Sequence, residues 1–477
     1  MKTIYIFAVL LGIIITIPAS AQFDNFKLSD YKLPDIKTHM LDLYTYINNN
    51  SNFYQYQDQS GIVDTIWNKS LGGTLNTGYT FFRSNSRYQG TQDISIYTGA
   101  NFNGIQAPGN NSKYYSYPLS FAISSYNKFY LSDRFFIGFD PGFSENLSNR
   151  KEKYSDGDEV TRIWKNNTIN ADVPVSVGIG RIEPVENARH AVYVLQELEK
   201  NGRLKNKPSD EVIIRFAELV SKLKNKRFFD YRLREIAELH AVDSFLVAND
   251  LITESDITYY AGLNDIWDYG YGPERNSGRI FSGGIRYNLD FREDDFEEQT
   301  PGATVSNYSL WRTNSAGAFL RYQNSKPINL YWQSDLSITA GYDYEISYLP
   351  YESMVIIPGF NTNVIKGMVD YSVKYIPSTR TYFTLAAGSY IESLSGQRDK
   401  VDFPDNVSGK MTGFDFSLNL LANIVYYFSP QLTLNFNWNF NYGWFNTWTN
   451  FNDDTSLEIM RKGLNSSFML SLFYSIF

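Results

Sequence analysis

The sequence predicts an all-β transmembrane barrel of about fourteen antiparallel strands, with one inserted α-helical domain of three or four helices. Three observations predict it. Apolar and polar residues alternate along nearly every apolar stretch. Most of these stretches are long enough to cross a bilayer at the usual tilt. The connections between them alternate between very short and long. Leu432, Leu434, Phe436, Trp438, Phe440, Tyr442 and Trp444 occupy one parity of the clearest segment. Thr433, Asn435, Asn437, Asn439, Asn441 and Gly443 occupy the other. Period two sets these groups on opposite faces of a strand, one suited to hydrocarbon and one to water. Closing such a sheet satisfies both faces and every backbone group.

The first element is expected to be removed. Lys2, the apolar run Ile4 to Ile17, Pro18 and the small-x-small site Ala19-Ser20-Ala21 predict a secretory signal peptide over 1–21, with Gln22 opening the mature chain. Residues 22–39 then form an N-terminal periplasmic segment. Strands one to six fall at 40–56, 68–83, 88–102, 115–129, 133–147 and 166–180, so that 40–180 is the first barrel segment. Strands seven to fourteen fall at 277–292, 309–323, 328–346, 362–376, 380–393, 411–428, 431–446 and 461–477. Residues 277–477 complete the barrel.

The connections test this division. After even-numbered strands they are tight, as at Ser84–Arg87, Tyr130–Ser132, Asn324–Pro327, Pro377–Thr379 and Ser429–Pro430. After odd-numbered strands they are long and rich in Asp, Glu, Asn and Gly. Short periplasmic turns and long outer loops are the habit of outer-membrane barrels, and a β-sandwich has no reason to follow it.

Residues 181–276 break the pattern with helical periodicity. Val185, Ala188, Val192, Leu195 and Leu198 form one stripe, and Val212, Phe216, Leu219, Val220 and Leu223 a second. A third helix is expected from Phe228 to Val247. A fourth follows Thr253, placed to cap it with Asp256 three residues on. Pro184 and Pro208 suit helix starts, and Gly270, Gly272 and Pro273 end the set. Counting turns puts this insert on the periplasmic side. Its charges (Glu197, Glu199, Lys200, Lys222, Lys224, Lys226 and Arg227) suit water.

Composition narrows function. Mean hydropathy is -0.34, yet 17% of residues are aromatic, which fits a polar lumen within aromatic girdles. Trp311, Trp332, Trp438, Trp444 and Trp448 are expected at those girdles. The chain has no cysteine, so no disulfide or thiolate metal site is possible. A net charge of -8 argues against nucleic acid. No cofactor is expected.

With the apolar parity facing lipid, the charges on the other parity become candidate lumen-lining residues. These are Asp172, then Arg286, Asp290 and Arg292 of strand seven. Asp335, Asp343 and Glu345 come from strand nine, Lys366, Asp370 and Lys374 from strand ten, and Asp415 from strand twelve. They either line a conducting lumen or pair into a network that fills it, and the mixed signs favour local pairing.

Catalysis finds little support. The three histidines are His39, before the first strand, and His190 and His240 in the insert. None supplies a barrel hydrolase with an imidazole. His240, Asp243 and Ser244 resemble a triad, but their spacing on one helix reads as ordinary helix positions. His190 beside Arg189 reads as solvated. Glu293, Asp294, Asp295, Glu297 and Glu298 could collect divalent cations, although a solvated loop explains them better. The run Asp156-Gly157-Asp158-Glu159 reads as a loop tip.

The run Leu28-Ser29-Asp30-Tyr31-Lys32-Leu33-Pro34-Asp35 and the passage Gly180-Arg181-Ile182-Glu183-Pro184-Val185 resemble uncharacterised Bacteroidetes-type outer-membrane barrels with a helical insert. The resemblance implies location and architecture, with no activity to carry to particular residues. In strand number the chain is also similar to fourteen-stranded porins and FadL-like transporters. Only residues 22–39 precede strand one, too few for the FadL-type N-terminal hatch, which speaks against that kind of lipid uptake. Terminal Phe477 fits the signal read by the barrel-insertion machinery, with Ser475 where an aromatic is often found.

The expectation is therefore a non-enzymatic outer-membrane protein, exported and embedded in outer-membrane lipid. Its leading function is a passive or gated pore for small polar solutes. The alternative is a structural or partner-binding subunit, with a blocked lumen and a helical domain docking a periplasmic or outer-membrane protein.

Overall fold

The computed structural model describes residues 23, 25–57, 63–107, 110–156, 158–225, 231–252, 255–268, 274–351, 355–378, 380–398, 408–429, 432–451 and 456–474. The expected signal peptide, Thr253, Gly270, Gly272, Pro273, Ser475 and Phe477 lie outside them, as do Lys226 and Arg227. Before the insert run β1 (Ile36–Gln57), β2 (Val63–Ser84), β3 (Tyr88–Ala107), β4 (Asn110–Tyr130), β5 (Phe135–Phe139), β6 (Gly142–Asp156) and β7 (Asp158–Pro184). Four helices follow: α1 (Glu186–Lys200), α2 (Asp210–Lys224), α3 (Tyr231–Ala248) and α4 (Ile257–Asp268). After them come β8 (Asn276–Thr300), β9 (Ala303–Pro327), β10 (Trp332–Tyr351) and β11 (Val355–Ser378). The last are β12 (Thr381–Arg398), β13 (Gly409–Tyr427), β14 (Leu432–Phe451) and β15 (Ser456–Tyr474).

All the strands join one antiparallel sheet in chain order, the meander of a transmembrane β-barrel. Among the described residues the ladder has fourteen staves, because β5 and β6 are two pieces of one. Both pair with β4 on one side and β7 on the other. The break falls at Asp140-Pro141. Proline has no N–H for the ladder, and the Asp140 carboxylate accepts the Asn127 N–H at 2.9 Å there. Among the described residues no ladder joins β1 to β15, and both strands are exposed along most of their length.

The long polar connections are largely strand. β8 and β9 stay paired out to Thr300 opposite Ala303, and β6 and β7 out to Asp156 opposite Asp158. Cross-strand charges support these extensions: Arg162 meets Glu298 at 2.5 Å, and Lys165 meets Asp295 at 3.2 Å. The acidic run of Glu293 to Glu298 thus lies in a strand and pairs with bases. Composition suggested a loop because the charges that pair it come from a distant strand. At the other end β1 begins at Ile36, so His39 lies inside a strand, its Nδ1 2.7 Å from the Tyr79 hydroxyl.

The helices share one core with the N-terminal segment. Phe23, Phe26, Leu28 and Tyr31 are buried against Val185, Val192, Leu195, Phe216, Val220, Leu246 and Trp267. Full burial of such side chains stabilises by about 1.5–3 kcal/mol each. Leu330, from the β9–β10 turn, belongs to the same cluster. Both runs that carry the family resemblance therefore meet here, through Tyr31 and Val185. Gly180 and Gly278 carry φ of 109° and 128° close to the helical end of the β7–β8 ladder, which runs on to Pro184 opposite Asn276. Side-chained residues avoid that region.

Two helix details differ from expectation. Asp256 itself caps α4, accepting the Tyr259 N–H at 2.9 Å and the Thr258 hydroxyl at 2.7 Å. His190 and Arg189 are buried, because α1 lies at the centre of the unit. The imidazole of His190 lies 5.0 Å from the Trp267 ring, and the Arg189 guanidinium stacks 4.6 Å over Tyr193.

Candidate functional site

Register decides which side chains share a face. Arg286, Gly317 and Asp343 stand opposite one another across β8, β9 and β10. Asp172, Asn288, Ser315 and Glu345 form the neighbouring row. Gly341, Lys366, Glu392 and Asp415 form another. Asp290 pairs with Asn170 and Thr313, and Asp335 with Ser325 and Ser372. All eleven candidate residues therefore fall on one polar face. The opposite face of the same strands exposes Val173, Val175, Val177, Phe281, Ile285 and Ile365.

Asp343 is the centre of the polar face, its side chain 1% exposed. Arg286 Nε donates to Oδ1 at 2.7 Å, Arg286 Nη2 closes on Oδ2, and Lys366 Nζ reaches Oδ2 at 2.8 Å. A buried carboxylate needs such compensation. Both bases come from within two strands of Asp343, so the pairing runs along the wall of the sheet. Beside it the Tyr390 hydroxyl donates to Glu392.

The remaining candidates are dispersed. Lys374 lies 3.6 Å from Asp335 near the helical end. Arg292 bonds Asp294 at 2.9 Å and stacks 5.2 Å over Trp311, directly opposite in the ladder. Trp311 is thus on the polar face, not in an outer girdle. Asp370 stands opposite Ser337 and Gly388. Tyr390 and Glu392 were absent from the sequence-based set, although strand parity alone would have found Glu392 opposite Lys366 in the ladder.

The helical end of the sheet is latched. Arg275, with no exposed surface, donates to the carbonyls of Leu330 (2.5 Å), Asn329 (2.6 Å) and Trp332 (2.8 Å). Burial and neighbouring Arg189 pull its guanidinium down to about 9, which leaves it charged at neutral pH. Tyr193 donates to the Ile376 carbonyl at 3.0 Å, and Arg380 grips Asp265 at 2.8 and 2.7 Å. From the N-terminal segment Thr38 bonds Asn225, and the Tyr31 and Ser221 hydroxyls lie 2.5 Å apart. Two successive turns of the sheet and strand β1 are thereby tied to the helices.

A cavity of about 570 Å³ lies at this joint, with Glu186, Glu274, Lys128, Asn276 and Gln323 in its lining. Burial pushes the Glu186 carboxyl up to about 7, against the pull of its own N–H and Lys224. An apolar cluster of Tyr130, Phe136, Ile280 and Ile182 interrupts the polar face nearby. In the helices, Ser244 donates to the His240 carbonyl at 2.8 Å, while Asp243 takes Ser255 and Tyr260. Ser244 Oγ also lies 3.3 Å from His240 Nδ1, but the Asp243 carboxylate is taken by α4 and its approach and does not complete a triad with them.

No protein-family model and no curated protein sequence matches the chain. Among solved structures it overlaps the translocator domain of the autotransporter NalP from Neisseria meningitidis, at 10% identity and a TM-score of 0.23, covering 90% of this chain and 98% of that one. It overlaps the ferric yersiniabactin uptake receptor FyuA from Yersinia pestis at 7% identity and 0.31, covering 91% and 71%. The TodX monoaromatic hydrocarbon channel overlaps at 8% and 0.28, covering 97% and 94%. Overlaps this loose carry nothing about substrate.

Proposed function

We propose that the chain is an outer-membrane barrel conducting small polar solutes, with the helical unit at its periplasmic mouth. The observation that carries this reading is the division of faces across β7 to β11. One face offers Val175, Ile285 and Ile365 to hydrocarbon, while the other carries Asp172, Arg286, Asp343 and Lys366. Only a lumen gives charged groups water at membrane depth. Ion pairing along the wall, as in Arg286–Asp343–Lys366, leaves the space within free for solute. Export by a cleaved signal peptide over 1–21, and kinship with Bacteroidetes-type barrels, belong to the same reading.

The second reading is a blocked barrel whose helical unit docks a partner protein. The latch of Arg275, Tyr193 and Arg380, with the apolar cluster around Phe136, favours it. Planar-bilayer conductance separates the two. Full-length protein is compared with a variant in which an Asn-Gly turn replaces residues 183–274. A gated pore conducts, and conducts more without the insert. No conductance from either protein ends the pore reading. Conductance unchanged by the replacement, with loss of a co-purifying protein, makes the insert a docking module.

A further inference from the structure

A second cavity, of about 550 Å³, opens on the polar face, lined mainly by β10 to β14 with Ile182, Asn276, Gln323 and Ser325 at its other side. Its floor is one transverse row. Ser337 stands opposite Asp370, Asp370 opposite Gly388, Gly388 opposite Asn419, and Asn419 opposite Asn441. Adjacent strands lie about 4.8 Å apart, so the row from Asp370 to Asn441 spans about 14 Å. Gly388 sits in the middle and contributes no side chain. A Cβ there would lie 2.7 Å from Asp370 Oδ1, so the glycine gives the carboxylate room to lean into the cavity.

The chemistry of the row is selective. Lys374, the base in the same lining, is directed to Asp335 at 3.6 Å. Asp370 faces Ser337 and Gly388, neither of which is a cation. What remains is one carboxylate, a serine hydroxyl and a line of amides. A carboxylate accepts from two hydroxyls at once, whereas an amide both donates and accepts, as a hydroxyl does. A ligand rich in neighbouring hydroxyl groups satisfies such a row. A compact cation would leave the amide donors unmatched, and an anion would meet Asp370.

We propose that this row is a seat for a neutral saccharide, held by Asp370 on vicinal hydroxyls and by Asn419 and Asn441 along its length. The seat rests on the pore reading, since the solute reaches it through the lumen. It gives that pore a substrate class.

The test uses full-length protein in detergent for calorimetry and the same protein in planar bilayers for conductance. The probes are maltotriose and hexaethylene glycol, a chain of ether oxygens without vicinal hydroxyls. Maltotriose is expected to bind while hexaethylene glycol does not, and Asp370→Asn, which is isosteric, should weaken binding at least five-fold. Gly388→Val should abolish it, and Asn441→Ser, a milder change, should weaken it by a smaller factor. Absence of maltotriose binding, or binding indifferent to Asp370→Asn and Asn441→Ser, overturns the seat. Maltotriose binding that depends on Asp370, in a protein with no conductance, supports the seat and overturns the pore.

Discussion

Gly317 and Asp343 stand opposite each other in the β9–β10 ladder, and a methyl group on Gly317 would collide with Asp343 Oδ1. The absent side chain is the space in which Asp343 meets Arg286 Nε at 2.7 Å. Gly317→Ala should therefore displace the carboxylate and cost about 2 kcal/mol. Asp343→Asn keeps the shape but strands Arg286 and Lys366, for about 3 kcal/mol. Denaturant titration of the folded, heat-modifiable band on gels checks both. In a double-mutant cycle, Asp343→Asn with Arg286→Gln should cost less than the sum of the two single changes. Additive losses would show that the two side chains do not interact.

Arg275 offers a sharper test of the latch. Its guanidinium donates to three carbonyls in the β9–β10 turn, of which that of Trp332 also accepts the Ile328 N–H at 2.9 Å. Arg275→Ala should cost about 3 kcal/mol, and Arg275→Lys less, because an ammonium keeps the charge but loses the fork. The loss should fall on the helical unit. Limited proteolysis of purified protein should cut α1–α4 faster while the barrel band persists. Equal loss of both would make the unit inseparable from the sheet.

Much of the sheet was legible because period two is a local signal. Phe281, Ile285 and Tyr287 alternate with Arg286 and Asn288 whatever else the chain does. The helical stripes were legible for the same reason, and α1 and α2 fall where those two stripes predict. What could not be read was partnership. Nothing within Glu293–Glu298 says that Arg162 and Lys165 will extend the strand there. Nothing around His190 says that Trp267 will cover it. The site divides likewise: parity found Asp343 and Lys366, but the row through Gly388 needs the registers of four strand pairs.

The Glu186 carboxyl gives the helical unit a pH dependence. Its ordinary value of 4.5 rises to about 7 on folding. The folded state therefore holds the proton more tightly. Its favourable contribution is full below 4.5, declines as pH rises towards 7, and is flat above that. The decline is worth about 3 kcal/mol at most. Hydrogen exchange of α1 and α2 amides, corrected for intrinsic rates, should speed up between pH 5 and 8. Glu186→Gln should remove the dependence, and an unchanged slope in that variant would assign it elsewhere.

Asp256 titrates in the opposite sense. Thr258, the Tyr259 N–H and Arg203 hold its carboxyl down to about 2 from 3.8. Stability from this cap is present above 3.8 and lost as pH falls through 2. Asp256→Asn keeps a capping oxygen without the charge, so it should lower stability at neutral pH and abolish the acid-side dependence. Exchange at the first amides of α4 reads both effects.

The paired hairpins sharpen the topological prediction. If residues 148–165 and 293–308 were loose outer loops, protease added to intact cells would cut throughout them. Pairing of Glu298 with Arg162 and Asp295 with Lys165 instead holds both segments in the sheet, and leaves the Pro301-Gly302 turn as the accessible point between β8 and β9. Cleavage should concentrate there in low salt. Salt near 1 M screens exposed pairs and should widen the cut sites into the flanking strands. The helical unit should stay intact in the same cells, because the short turns to which it is tied lie at the opposite end of the ladder. Cuts within α1–α4 from outside would invert the orientation, and would turn the end latched by Arg275 towards the medium.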